Sequence, residues 1–235
     1  MERRFAAWEN VSFKLKNKET YFTNKDNITT ITAEYQIFAS DTSQLGELSL
    51  TYRINNKGQI AVHQQFTPNN DAKVKPNMFR FGMRMEMPES FDRIDYFGRG
   101  PIENYADRKL SQPIGHYAQS VDEQYYPYIR PQETGTKSDL RRYAVTDIAG
   151  RGLQFTSTKL FSASALPYTM ENLCPTTEKR QYHSTDLKAE HLTAVCIDGA
   201  QMGLACVNSW GAWPLPQYCL PFGPYEFEFV ITPVK

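Results

Sequence analysis

A chain of 235 residues with 40% hydrophobic and 13% aromatic side chains has enough apolar material for a sizeable core, and fits one large β domain more readily than two small ones. Its 26 basic and 26 acidic residues balance, with no long run of one sign, which argues against nucleic acid or an anionic membrane as partner. No apolar stretch approaches the roughly 20 residues needed to cross a bilayer, and Met1–Asn10, with Glu2, Arg3, Arg4 and Glu9, does not read as a signal peptide.

The predicted elements are strands. Ile28–Phe38, Leu48–Ile54 and Ile60–Phe66 come first, the last two joined by Asn55-Asn56-Lys57-Gly58, whose Asn and Gly tolerate the positive φ of a tight hairpin. Next, Phe79, Phe81, Met83, Met85 and Met87 alternate with Arg80, Gly82, Arg84 and Glu86, giving one buried face and one wet face. A short helical turn is expected near Ser120–Gln124. Leu153–Thr158 and Leu192–Ile197 follow as strands, and Asp198-Gly199 reads as a turn before a further strand at Met202–Cys206. Pro214, Pro216, Pro221 and Pro224 make Trp213–Pro224 an extended loop. The chain closes on Tyr225, Phe227, Phe229 and Ile231, alternating with Glu226, Glu228, Val230 and Thr232. No long stretch holds a capped 3.6-residue period. The expectation is all-β, antiparallel and sandwich-like, as a single domain over residues 1–235.

The four cysteines, Cys174, Cys196, Cys206 and Cys219, match neither a zinc site nor a Cys-x-x-Cys pair. Free thiols are the leading reading and one disulfide the other. The compartment stays open between cytoplasm and periplasm. His63, His116, His183 and His191 lack metal-ligand spacing and read as isolated strand or surface residues.

Three clusters could carry chemistry. Glu103 and Asp107 are near-neighbour carboxylates, as sugar hydrolysis requires, but Arg99 and Arg108 beside them favour the charged form, the reverse of a general acid. Ion pairing and turn formation outweigh catalysis there. Tyr125–Gly135, with Tyr126, Tyr128, Arg130, Gln132 and Glu133, could stack and hydrogen-bond a sugar ring. An ordinary corner of buried, hydrogen-bonded tyrosines explains it more readily. Trp210 and Trp213 flank Gly211-Ala212 at the mouth of the proline-rich loop. Core packing is the default for a tryptophan, though the loop setting leaves open a ligand or partner contact.

The segment Gly98-Arg99-Gly100-Pro101-Ile102-Glu103-Asn104-Tyr105-Ala106-Asp107-Arg108 resembles the G-x-G-P-x-E-N-Y-x-D-R signature of the C-terminal, small-chain domain (domain 5) of β-galactosidases, glycoside hydrolase family 2. Tyr128 through Pro131, Gln132, Glu133 and Gly135 is similar to that family's Y-x-x-P-Q-E-x-G segment, with Thr134 where Asn or Ser is more usual. Asp198-Gly199, Met202-Gly203 and Asn208-Ser209-Trp210 resemble its late elements. The resemblance implies a galactose mutarotase-like super-sandwich. It places Gly98, Gly100, Pro101, Glu103, Asn104, Tyr105, Asp107, Arg108, Pro131, Glu133 and Gly135 in structural motifs, with no catalytic residue in this chain. In that family the two catalytic glutamates stand on a TIM barrel, a unit of about 250 residues with alternating strands and helices and a character not found here. The resemblance further implies that Trp210, and more weakly Trp213, helps hold the leaving-group sugar of a galactoside such as lactose. The implied partner is the catalytic barrel or large subunit of a homo-oligomeric parent. It implies no cofactor in this chain and Mg or Na only in the parent's barrel. The family's first strands and its R-A-P-x-D-N-D motif are expected to be missing ahead of Met1. The alternative is a stand-alone carbohydrate-binding module of the same fold.

Overall fold

The computed structural model describes residues 5, 7–8, 11–16, 21–173, 183–205, 207–208 and 210–235. Among these, twelve strands run in chain order: β1 Ser12–Leu15, β2 Tyr21–Lys25, β3 Ile28–Phe38, β4 Gln44–Asn55, β5 Ile60–Pro68, β6 Arg80–Pro88, β7 Arg93–Arg99, β8 Ile114–Ser120, β9 Lys137–Thr146, β10 Gly152–Leu166, β11 Leu192–Gln201 and β12 Tyr225–Val234. A one-turn helix, α1, spans Met170–Leu173, and short 3₁₀ turns occupy Asp122–Gln124, Ser184–Asp186 and Pro216–Tyr218. The chain is all-β and antiparallel. It divides into two compact units, the first formed by residues 1–82 and 198–232, the second by residues 83–197 and 233–235.

In the first unit, β3 pairs with β4, β4 with β5, and β5 with β12, while β1 and β2 share the other edge of β3. Antiparallel partners lie on one face, so the register puts Leu48 beside Phe66 and Tyr225, and Tyr52 beside Val62 and Phe229. The opposite face carries Thr51, His63 and Glu228 in line, with an ion pair Arg53–Glu228 (2.9 Å) and a hydrogen bond between His63 Nε2 and Glu226 Oε1 (2.8 Å). The β4–β5 hairpin forms as its sequence dictates: Asn55 Oδ1 accepts from the backbone N–H of Lys57 and Gln59, and Gly58 takes φ 77°. The core packs Ile37, Leu45, Phe66 and Met78. Trp8 lies against it, its Nε1–H donating to Asn77 O (3.0 Å) and its ring edge-on to Phe66.

Three expectations fail in this unit. The Asp198-Gly199 pair is not a turn, because β11 continues through it to Gln201. A Cβ at position 199 would sit 2.4 Å from Phe227 Cγ, so the glycine permits close approach to a phenylalanine ring. Asp198 is buried against Arg80 (2.9 Å). No strand forms over Met202–Ala205, and Cys206 lies outside the described residues. Phe79, expected on a buried face, is half exposed and stacks on Phe5 at 3.8 Å between centroids.

In the second unit, β8 pairs with β7, β7 with β9 and β9 with β10. Tyr96 on β7 and Tyr143 on β9 face each other across the ladder and are fully buried, along with Leu140, Val145 and Phe155. Fully buried tyrosines side by side explain why burial pushes the Tyr143 hydroxyl well above its ordinary pKa. The expected turn after β8 is present, with Glu123 accepting from Ser120 N (2.6 Å). The two described cysteines, Cys196 and Cys219, are free thiols, and Cys174 and Cys206 lie outside the described residues.

Candidate functional site

The second unit brings together the two motif stretches that the sequence holds far apart. After β7, the Gly98–Pro101 segment runs close against its neighbours: a Cβ at Gly98 would lie 2.6 Å from Leu140 Cδ2, and one at Gly100 2.2 Å from the Tyr96 hydroxyl. The Gly100–Pro101 peptide is cis. Asn104, fully buried, then engages both polar atoms of its side chain. Its amide group donates to Arg99 O and Ile102 O (3.0 Å each), and its Oδ1 accepts from the Ser138 N–H (3.1 Å) and hydroxyl. Its backbone N–H donates to Thr136 O (2.8 Å). Tyr105 and Arg108 form a small bridge closed by Ala106 and Asp107, which leaves Asp107 half-buried.

Glu103 sits where the stretches meet. Its Oε1 accepts from Arg108 Nη2 (2.6 Å) and the Tyr128 hydroxyl, and its Oε2 from the Thr134 hydroxyl (2.9 Å) and the Gly135 N–H (2.7 Å). Gly135 fits because φ is 79° and because Gln124 O would lie only 2.8 Å from any Cβ. Burial and the hydrogen bond to Glu103 push Tyr128 up to about 12. Glu133 accepts from the Tyr105 hydroxyl (3.4 Å) and Thr136 Oγ1 (3.0 Å), Pro131 is buried beside it in sequence, and Arg108 lies 4.9 Å over the Tyr105 ring. A carboxylate with four donors has no free lone pair for a substrate. This chemistry fastens two loops.

Two further charged groups stand beside this cluster, and neither was legible in the sequence. Lys137 is buried, with Nζ 3.4 Å from Gly135 O, and burial lowers its pKa to about 8 against the opposing pull of Glu103. Asp139 takes a left-handed φ of 51° and receives Arg99 Nε (2.6 Å) and Lys109 Nζ (2.7 Å). Burial would raise the Asp139 pKa, but those two cations win and hold it below the ordinary value. A lysine and an aspartate following Gly-Thr carry no local sign of burial. Thr134 and Tyr128 did stand inside the recognised segment.

In the first unit the two tryptophans separate. Trp213 stacks on Phe5, ring centroids 5.4 Å apart. Trp210 is 91% exposed. Its loop is held by Asn208, whose Oδ1 accepts from the backbone N–H of Trp210 (2.9 Å) and Ala212 (3.4 Å), with Gly211 at φ 76°. Val207 and Leu215 are exposed on the same loop. Among the described residues no group of His, Cys, Asp and Glu could hold a metal ion.

Comparison with known proteins agrees with the motif reading. The chain is 31% identical to a β-galactosidase of Priestia megaterium (strain DSM 319 / IMG 1521) over all of its own length and 22% of that protein. It is 32% identical to a β-galactosidase of Lactobacillus delbrueckii subsp. bulgaricus over 92% of this chain and 20% of that one. It thus spans about a fifth of the length of these relatives. Among solved structures it is similar to a galactose mutarotase related enzyme from Lactobacillus acidophilus, with TM-score 0.42 and 10% identity over 92% of this chain and 71% of that one. Residues 2–231 match the model of the beta galactosidase small chain family, so the Glu103 clasp, the glycines packed around it and the Asn208–Trp210 loop belong to a member of that family.

Proposed function

We propose that this chain is a non-catalytic, C-terminal domain of a β-galactosidase, and that it completes the leaving-group side of an active site carried on a TIM barrel elsewhere in the parent. Trp210 is the observation that carries the reading. An indole left almost wholly in water, on a loop whose backbone is pinned by Asn208, loses the benefit of burial until something covers it. A sugar ring offers a C–H face to stack on that indole. The domain then supplies binding energy and no chemical group, in keeping with Glu103, whose oxygens are fully engaged.

In the complete enzyme, Trp210→Leu should raise the lactose KM and weaken glucose as an acceptor by roughly 2- to 10-fold, the range of one aromatic contact. Unchanged values for both would remove Trp210 from the site. The stand-alone module would instead use Tyr125–Gly135 as its sugar surface. Calorimetric titration of galactose and lactose into the chain separates the two readings, because millimolar or tighter binding favours the module.

A further inference from the structure

The two stretches fastened at Glu103 hold large apolar side chains out in water. Leu110 is 92% exposed and Ile129 is 88% exposed, and Ile102 and Tyr126 are also exposed. Each stands within two residues of a group in the clasp: Ile102 precedes Glu103, Leu110 follows Arg108, and Tyr126 and Ile129 flank Tyr128. Arg108 Nη2 donates to the Tyr128 hydroxyl (2.5 Å), so the clasp sets the two stretches side by side.

Exposed apolar residues scattered singly are ordinary surface. These are different because the backbone that presents them is fixed. Tyr126 N–H donates to Thr134 Oγ1 (3.1 Å), the Ser184 hydroxyl donates to Tyr128 O (2.5 Å), and His183 Nδ1 lies 3.3 Å from Ile129 O. A loop so anchored cannot fold Ile129 inward. Its apolar tip is preorganised for contact, which lowers the entropy lost when a partner covers it.

We propose that this patch, Ile102, Leu110, Tyr126 and Ile129 with the exposed Arg130 at its rim, docks the remaining polypeptide of the parent enzyme. The proposal rests on the accessory-domain reading above. It commits to that occupant because the relatives carry about four-fifths of their length outside the segment matched here. The complementary surface is apolar, with a carboxylate or carbonyl placed to meet Arg130.

The test uses the complete enzyme with Leu110→Asp and Ile129→Asp combined, against Ile148→Asp as control. Ile148, on the turn between β9 and β10, is 87% exposed, so none of the three side chains has packing within this chain to lose. Docking predicts a lower unfolding temperature for the double variant, and cleavage within residues 83–197 by added protease faster by roughly ten-fold. The control should match the wild type. Equal behaviour of double variant and control overturns the proposal. So does a double variant whose only change is a smaller assembly by sedimentation, which would make a second copy the occupant. These are physical readouts, so they stay informative whatever Trp210→Leu does to sugar binding: a loosened double variant beside an unaffected Trp210 variant would leave docking standing and remove the sugar wall.

Discussion

Replacing Glu103 with alanine exposes what the clasp contributes. The substitution takes the acceptor from four donors, two of them, the Gly135 N–H and the Thr134 hydroxyl, on buried residues. A buried donor left unpaired costs about 1–3 kcal/mol. The Thr134 hydroxyl has a fallback in Tyr126 O at 3.5 Å, whereas the Gly135 N–H donates to Glu103. Arg108 and Tyr128 keep each other and reach solvent, so their loss is smaller. Removing one partner of a buried charged group typically costs about 3–5 kcal/mol, and the sum here falls in that range. For a chain of this size that is a drop of roughly 6–20 °C in unfolding temperature. Glu103→Gln keeps the shape but turns an amide N–H₂ toward donors. Because the hydroxyls of Tyr128 and Thr134 can rotate to accept, it should cost less, about 1–3 kcal/mol. Urea denaturation followed by circular dichroism should rank wild type above glutamine above alanine, with unchanged slope. An alanine variant within about 0.5 kcal/mol of wild type would refute the idea that Glu103 fastens the loops.

Lys137 predicts a pH dependence. Its folded pKa of about 8 lies below the unfolded value near 10.4, so between those limits the unfolded chain binds more protons and stability rises with pH. Below about pH 8 the buried ammonium is carried at a cost. Lys137→Met should therefore be more stable than wild type near pH 7, by up to about 3 kcal/mol, with the advantage shrinking as pH climbs toward 10.5. A gap that is constant across this window would count against a buried amine titrating there. Gly199→Ala should destabilise by about 1–3 kcal/mol, since its methyl group meets the Phe227 ring. A neutral result in thermal unfolding would mean that position 199 does turn, as its Asp-Gly sequence implies.

Strands with one wet face were legible in the sequence. The alternation of Tyr225, Phe227 and Phe229 with Glu226 and Glu228 gives β12, and the bounds of β3 were read to the residue. The run Lys137–Thr146 was not read as a strand. Buried on both faces toward its two ends and bearing Lys137 and Ser138 inside, it shows no alternation. Asp198-Gly199 misled because the same dipeptide that makes hairpins also relieves a clash with a distant ring, and only the fold tells which applies. The residue strings of the Glu103 site were visible, yet their meeting was not. Glu103 reaches Thr134 and Gly135 across 31 and 32 residues, and no local period encodes a contact at that separation.

Asn104 has a kinetic consequence. Its bonds to Ser138 close a loop of 34 residues, so they form only once β9 has been delivered to β7, and the ordering of that loop is lost before they return anything. A contact made that late belongs to the native side of the folding barrier. Asn104 should therefore act as a latch on the way out: its removal speeds unfolding while refolding from denaturant keeps its pace.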